Sequence, residues 1–297
     1  MTRWAMIGVP TSAGAHHAGQ ERAPAALRAA GLVSRLRAAG VDVVDTGDLP
    51  GANFVVDSLH PRSRNLDAVI RVAREVADAV SSQLSAGFRP LVVGGDCTIT
   101  LGAVAGFRRQ HPGVGLAYVD GEPDLGTPDD TVSSGIFDSM GIAHLLGRGA
   151  AELAGLDGPA PLLAPSRLAL VGCDPREVTD AHRKLLASED ISYQEGAALK
   201  ADPEAAAGQA LGVLTAVDAP FVVHFDVDLV DSGELPLGNF PSYGSGVRLD
   251  EVVACLRVLT SHPACGGLVL TEVNPTYDAD GSLLGQYVDG ITQVLAA

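Results

Sequence analysis

The segment PFVVHFDVD, residues 220–228, decides the fold class, because a run of apolar and aromatic residues ends directly in two carboxylates. Three other segments follow the same design: PLVVGGDC at 90–97, GLAYVDGEPD at 115–124 and GLVLTEVN at 267–274. Runs that are apolar almost throughout are typical of parallel strands covered on both faces. The sequence therefore predicts an α/β protein with a buried parallel sheet and with polar side chains where the strands end.

Short β-branched runs alternate with longer helical patterns over the whole chain. Eight strands are predicted, at residues 4–9, 41–44, 90–93, 115–119, 167–171, 191–193, 220–225 and 267–270. Eight helical stretches are predicted, at residues 23–39, 65–85, 98–109, 139–146, 179–187, 204–217, 249–261 and 284–295. This alternation predicts either a doubly wound sheet or a closed barrel. No internal repeat is visible, and the Gly- and Pro-rich stretches are interpreted as loops, so residues 1–297 are predicted to form a single domain.

Composition restricts the classes of partner. The 297 residues include 20 Lys and Arg and 36 Asp and Glu, which gives a formal net charge of −16 and argues against nucleic acid or an anionic membrane as a partner. A cationic small molecule or bound metal ions fit this charge better. No apolar run approaches the roughly 20 residues of a membrane span, and the first residues lack a signal-peptide pattern, so a cytoplasmic location is expected. Four Cys without CxxC spacing argue against a disulfide scaffold.

Carboxylates cluster at the predicted strand ends, where parallel α/β folds bind their ligands. Asp120, Glu122 and Asp124 would point to one side if the backbone stayed extended, and the spacing of Asp226 and Asp228 has the same effect. Converging carboxylates repel one another unless cations neutralise them, and divalent ions such as Mn²⁺ or Mg²⁺ suit oxygen ligands. The alternative is that these acids cap helices or face water. Clusters at separate strand ends favour one shared metal site.

Five segments in order resemble the arginase/agmatinase (ureohydrolase) family. They are GVPTSAGAHHAGQERAPAALRAAGL at 8–32, GGDCTITLG at 94–102, DGEPDLGTPDDTVSSG at 120–135, HFDVDLVDSGELP at 224–236 and EVNPTYDADG at 272–281. The resemblance implies a three-layer α/β/α domain with an eight-stranded parallel sheet. It also implies two Mn²⁺ ions that activate a bridging hydroxide to attack a guanidinium carbon, and a homo-oligomer, either a trimer or a hexamer.

The resemblance implies a metal-ligand set, with two substitutions. The implied ligands are Cys97, Asp120, Glu122, Asp124, Asp226 and Asp228. Cys97 and Glu122 stand where the family pattern has His, and none of the eight His occupies a family ligand position. His16 and His17 lie in the loop after the first predicted strand, from which they could reach the site, although loop histidines are most often solvated. Asp124 would also orient the hydroxide and accept its proton, and Glu272 would bind the substrate guanidinium through a charge-assisted pair.

The substitutions change the expected chemistry. A thiolate at Cys97 favours softer ions such as Zn²⁺ or Fe²⁺ over Mn²⁺. Five carboxylates and one thiolate would leave a net charge of about −2 around two divalent ions, which raises the pKa of bound water. Three hypotheses follow: Cys97 stays protonated, a single metal binds, or the reaction needs less activation than guanidine hydrolysis. A nucleophilic Cys97 at a helix start is a further, less favoured interpretation.

Residues 134–139, SGIFDS, lack the Asn and the His that arginases carry in the corresponding SGNLHG segment. Asp138 stands in place of the missing proton shuttle, and L-arginine is not the expected substrate. The sequence predicts a metal-dependent hydrolase of a C–N bond in a guanidine-like or amidine-like molecule. One alternative is a hydrolase of N-hydroxyguanidines or other modified guanidines from specialised metabolism. Another is a catalytically silent relative that serves as a binding or assembly subunit.

Overall fold

An eight-stranded, all-parallel sheet forms the centre of the protein. The computed structural model describes residues 2–130, 134–239 and 242–296. Positions 131–133 of the motif at 120–135 lie outside these ranges, as do positions 240–241, which fall in one of the Gly- and Pro-rich stretches interpreted as loops. The strands are β1 Arg3–Gly8, β2 Asp42–Asp48, β3 Arg89–Val93, β4 Gly115–Val119, β5 Leu168–Cys173, β6 Ser192–Glu195, β7 Phe221–Asp226 and β8 Cys265–Thr271. Their order in the sheet is β2-β1-β3-β8-β7-β4-β5-β6.

Helices cover both faces of the sheet. They are α1 Ala23–Ala29, α2 Leu32–Ala38, α3 Leu66–Ser85, α4 Ile99–Arg108, α5 Gly141–Leu145, α6 Ala151–Ala154, α7 Asp180–Ser188, α8 Gly196–Ala201, α9 Pro203–Leu214, α10 Leu249–Ser261 and α11 Ser282–Leu295. Consecutive strand residues enter opposite hydrophobic layers, as Val222 and Val223 do in β7. The layer beyond Val222 contains α3 to α7, and the layer beyond Val223 contains the other helices. The predicted three-layer α/β/α sandwich is confirmed, and the barrel alternative is wrong.

Two local predictions differ from the structure. The helix predicted at 23–39 is two helices, because Gly31 between them has a φ of 91°, a left-handed conformation that glycine adopts without a Cβ clash. The helix predicted at 204–217 is preceded by the unpredicted short helix α8. Asp202 separates α8 from α9, and its side chain caps α9 by accepting a hydrogen bond from the Ala205 backbone N–H at 2.9 Å. In the described ranges, none of the helices combines the length and hydropathy of a membrane span.

The sheet order brings the four polar strand ends together. Strands β3, β8, β7 and β4 are consecutive neighbours at the centre of the sheet, and they are the strands that carry the four segments quoted first. Parallel pairing places all their carboxyl ends at one edge. Residues that are 46 or more positions apart in the chain, such as Asp226 and Glu272, therefore meet over the middle of the sheet.

Candidate metal centre

A glycine turn after β3 places Cys97 near the middle of the sheet edge that contains the carboxyl ends of the strands. Gly94 and Gly95 have φ values of 97° and 85°, which the tight turn requires. The Asp96 carboxylate fastens the turn by accepting a hydrogen bond from the Gly14 backbone N–H at 2.9 Å. Cys97 is consequently buried just before α4 begins.

The acids after β4 do not follow an extended backbone, so the sequence-based reason for their convergence is wrong. The chain bends after β4, and the Asp120 carboxylate accepts a hydrogen bond from the Glu122 backbone N–H at 2.7 Å. Asp124 has a φ of 46°. A buried hydroxyl, that of Tyr118, donates to the Asp124 carboxylate. The bend, rather than strand alternation, brings the three carboxylates together.

The strands β7 and β8 end in two further carboxylate groups. Asp226 closes β7, and its carboxylate accepts a hydrogen bond from the Asp228 backbone N–H at 2.8 Å. Glu272 follows β8 with a φ of 62°, and its carboxylate accepts a hydrogen bond from the Gln20 amide at 2.9 Å. Left-handed conformations at non-glycine residues cost about 1–3 kcal/mol and cluster at functional sites. Both Asp124 and Glu272 have such a conformation.

All eight residues that the sequence assigns to the site line one cavity of about 290 Å³. They are Cys97, Asp120, Glu122, Asp124, Asp138, Asp226, Asp228 and Glu272. His16 also lines this cavity and is half-buried, whereas its neighbour His17 is exposed. His16 therefore reaches the site, as the less favoured of the two sequence-based interpretations allows.

Asp138 and Glu272 converge on the same backbone donor. The Cys97 backbone N–H lies 2.8 Å from Asp138 Oδ1 and 3.1 Å from Glu272 Oε1. Burial raises the pKa of each of these two carboxyl groups well above the ordinary value, and the charge of neighbouring carboxylates acts in the same direction. A carboxyl group with a raised pKa exchanges protons nearer to neutral pH than an ordinary aspartate does.

The pKa values of the remaining carboxyl groups in the cavity are raised as well. Burial raises the pKa of Asp120 to about 7. For Glu122 and Asp228, burial and then the charge of neighbouring carboxylates raise the pKa to about 8. Burial also raises the pKa of Asp124 and Asp226 well above the ordinary value. Such a concentration of desolvated oxygen donors is the environment that divalent cations stabilise, so the donor set fits metal ions.

Cys97 is unsuited to the role of free nucleophile. Burial raises the pKa of its thiol well above the ordinary value, and the charges of Asp226 and Glu272 act in the same direction. Its Sγ lies 2.8 Å from Asp226 Oδ2, with the thiol donating. A nucleophilic cysteine needs an electropositive environment that stabilises the thiolate, and this environment is the opposite. A bound cation would favour the thiolate, which is consistent with Cys97 as a ligand.

Sequence reasoning missed one residue, His224. It is fully buried, with Nε2 at 3.6 Å from Asp120 Oδ2 and 3.8 Å from Cys97 Sγ. These residues and Asp226 place one potential ligand atom each within 4.8 Å of one another. The signal was present in the sequence, because a histidine within an apolar strand and two residues before Asp226 projects to the same side.

A second cavity, of about 530 Å³, adjoins the first. Glu122 and Asp228 line both cavities. The second cavity also contains two cationic side chains, Arg176 and Lys200. Arg176 pairs with the Asp174 carboxylate, and the Lys200 ammonium donates to a backbone carbonyl at 2.7 Å. This larger space therefore presents both signs of charge beside the carboxylate cavity.

Comparisons with known proteins agree with this architecture. A sequence model of the Arginase family matches residues 2–297. Mitochondrial arginase-2 of Rattus norvegicus is 30% identical over 285 residues, which cover 91% of this chain and 77% of the rat protein. An arginase of Bacillus caldovelox is 28% identical over 276 residues, or 92% and 91% of the two chains. A crystal structure of arginase from Bacillus caldovelox superposes with a TM-score of 0.88 at 25% identity, covering 99% and 98%. The chain belongs to the arginase family, as a member with Cys97 and Glu122 where the family pattern has histidines.

Proposed function

We propose that this protein is a metal-dependent hydrolase that cleaves a C–N bond in a cationic guanidine-like or amidine-like small molecule. The observation that carries the proposal is the cavity of about 290 Å³ in which seven carboxylates and Cys97 converge. Family membership supports the reaction type. A cavity lined by seven carboxyl groups fits a cationic substrate, whose charge the deprotonated carboxylates would balance.

We propose that divalent ions, two Mn²⁺ or softer Zn²⁺ or Fe²⁺, bind among six side chains. These are Cys97, Asp120, Glu122, Asp124, Asp226 and Asp228. When bound, the ions would supply Lewis acidity and lower the pKa of a coordinated water, which makes it nucleophilic near neutral pH. The raised pKa values of the carboxyl groups in this cavity show that its negative charges are disfavoured when no cation is bound, which supports cation binding there.

Asp124 is the proposed base. Its carboxylate is held by the hydroxyl of Tyr118, and the left-handed backbone directs it into the cavity. It orients the attacking water and accepts its proton as the new C–O bond forms. Glu272, already fixed by Gln20 and by the Cys97 backbone N–H, pairs with the substrate cation.

Asp138 is the proposed donor to the leaving group. When the C–N bond breaks, the departing nitrogen needs a proton, and water has supplied one to Asp124. Asp138 lines the same cavity, and its raised pKa keeps on its carboxyl group a proton that it donates to this nitrogen. The proton held by Asp124 then passes through water to the Asp138 carboxylate and restores it. The products are then a neutral urea-type amide and an amine, and water supplies every atom that is added.

The adjoining cavity indicates which class of substrate would fit. Its anionic groups and the cations Arg176 and Lys200 fit a tail that is polar or zwitterionic, and its volume of about 530 Å³ accommodates more than a bare guanidine. The absence of the family's Asn and His from residues 134–139 argues against L-arginine. The substrate is therefore proposed to be a substituted guanidine or amidine.

Two alternatives have specific support. The excess negative charge of the ligand set weakens water activation, which favours a substrate with a better leaving group, such as an N-hydroxyguanidine. Loss of both family histidines favours a silent binding or assembly subunit. A homo-oligomer, either trimer or hexamer, in the cytoplasm is proposed for each case, on the family resemblance alone.

The test combines metal loading with a substrate screen. The purified protein is loaded separately with Mn²⁺, Zn²⁺ or Fe²⁺ and incubated with guanidino, amidino and N-hydroxyguanidino compounds, and urea or hydroxyurea release is measured. Asp124→Asn is the matched control, since it keeps size and polarity but removes the base. Release by wild type and not by this variant is expected. Bound metal without turnover on any compound would favour the silent subunit and contradict the proposed hydrolase.

A further inference from the structure

The imidazole of His224 is held in one orientation by its surroundings. The ring stacks on that of Tyr118 in the neighbouring strand, with centroids 3.9 Å apart and planes 11° apart. Its Nδ1 lies 2.7 Å from the hydroxyl of Thr100 in α4. The side chain is completely buried. Two independent contacts therefore fix both the ring plane and the direction in which Nε2 points.

Nε2 of His224 points at the metal-ligand candidates without a short hydrogen bond. Its neighbours are Thr271 Oγ1 at 3.4 Å, Asp120 Oδ2 at 3.6 Å and Cys97 Sγ at 3.8 Å. All three distances exceed the 2.7–3.2 Å that is usual for a good hydrogen bond to nitrogen. A ring with one nitrogen bonded to the protein and the other facing carboxylate and thiol is the pattern of metal-bound histidines.

The separations of the donor atoms suit one ion. Bonds of about 2.0–2.3 Å from Zn²⁺ to N, O and S in a tetrahedral site place neighbouring donors roughly 3.3–3.8 Å apart. The distances from His224 Nε2 to Asp120 and Cys97 lie in this range. The distance from Cys97 Sγ to Asp226 Oδ2 is shorter, 2.8 Å, because the thiol proton lies between these two atoms. Metal binding would release that proton.

We propose that His224 is a metal ligand, which completes with Cys97, Asp120 and Asp226 a site for a borderline ion such as Zn²⁺ or Fe²⁺. The inference rests on the proposed function, since it concerns the same metal centre. The two positions where the family pattern has histidine ligands hold Cys97 and Glu122 in this chain. In this proposal, the imidazole ligand comes instead from His224 on strand β7. A purely structural histidine would instead use both ring nitrogens in short hydrogen bonds.

His144 is such a structural histidine and provides the matched control. It is also fully buried, but its Nδ1 lies 2.7 Å from the Met140 carbonyl oxygen, and its Nε2 accepts a hydrogen bond from the Ala150 backbone N–H at 3.0 Å. Both nitrogens are bonded, and neither faces the carboxylate cavity. Replacement of either histidine by Asn disturbs a buried ring, and only at position 224 does the replacement remove a ligand.

The test measures metal binding rather than turnover. His224→Asn retains a polar group near the Thr100 hydroxyl but removes the group at Nε2. Thr100→Val keeps the imidazole and removes the contact that orients it. Zn²⁺ and Co²⁺ affinities, ions per chain and the visible spectrum of the Co²⁺ form are compared for wild type, these two variants and His144→Asn.

His224→Asn is expected to weaken Zn²⁺ binding by more than about 100-fold, and Thr100→Val by about 10- to 100-fold. Both should change the Co²⁺ spectrum, and His144→Asn should leave affinity and spectrum as in wild type. If His224→Asn does not fold, X-ray absorption of Zn²⁺-loaded His16→Asn, which lacks the other histidine at the cavity, replaces it, and imidazole scattering is expected. Unchanged affinity in folded His224→Asn, or a spectrum without imidazole, would overturn this inference while the metal centre stands. Wild type that binds no ion would overturn the proposed function itself.

Discussion

Raising the pH should destabilise the metal-free protein, because its site carboxyls are protonated when buried. Glu122 and Asp228 have pKa values of about 8 in the folded chain, against values near 4 when unfolded. Between those values the native state binds protons that the unfolded chain has released, so the free energy of unfolding falls as pH rises. Above the folded pKa values this loss is complete. Divalent ions should reverse the trend, since they bind the deprotonated carboxylates.

The size of this loss in the free energy of unfolding is worked out for the part of the interval above pH 7. Below pH 7, histidines whose pKa is lowered by burial, such as His224 with a pKa of about 3, make the free energy of unfolding rise with pH and so oppose the loss. From pH 7 to 8, each of Glu122 and Asp228 contributes at most about 1.4 kcal/mol, and solvent screening and mutual coupling reduce their sum. About 1 to 2 kcal/mol is therefore expected from these two groups together.

The assay is thermal unfolding of chelator-treated protein at pH 7.0 and 8.5. Unfolding entropy of about 2.1 cal/mol/K per residue gives roughly 0.6 kcal/mol/K for 297 residues, so these two groups should lower the Tm by about 2 to 3 °C. Glu122→Gln, which removes one of several titrating groups, should show a smaller fall. A Tm that is constant or rises with pH in the metal-free wild type would refute the reasoning.

Three further predictions concern catalysis and use steady-state kinetics of the metal-loaded enzyme. Glu272→Gln removes one charge from the pair with the substrate, and kcat/KM should fall about 10- to 150-fold, chiefly through KM; an unchanged KM would remove Glu272 from substrate binding. Asp138→Asn should lower kcat by about 100-fold or more and abolish one limb of the pH–rate profile, and His16→Asn should retain that limb; the reverse result would assign the proton transfer to His16. Tyr118→Phe leaves Asp124 without its hydroxyl partner and should lower kcat by about 2- to 13-fold at unchanged KM, whereas unaltered kcat would show that this hydrogen bond does not position the base.

The strand pattern was predictable because its determinants are local. A parallel strand buried on both faces must be apolar, and the carboxylates that follow it stand out, as they do at Asp226 and Asp228. The order of the segments then indicated the family and hence the sheet. All eight predicted site residues line one cavity, although their roles as ligands, base and substrate contacts remain proposals.

The features of the site that the sequence could not predict depend on strand register and on bends and loops of the backbone. Side-chain alternation in β7 indicates that His224 shares a side with Asp226, but its position opposite Tyr118 follows from the pairing of β7 with β4, and strand spacing alone does not specify this register. The acids at 120–124 converge through a bend and a left-handed Asp124, which side-chain alternation does not describe. His16 reaches the cavity through a loop whose course depends on the distant Asp96 carboxylate.

The central claim is that the converged carboxylates hold divalent metal ions. Elemental analysis after Mn²⁺, Zn²⁺ or Fe²⁺ loading and dialysis tests it most directly, with Asp226→Asn as the control that removes a central ligand. Two ions per wild-type chain are predicted, with reduced content in the variant. Wild-type protein that is folded and retains no ion from any of the three metals would contradict the account.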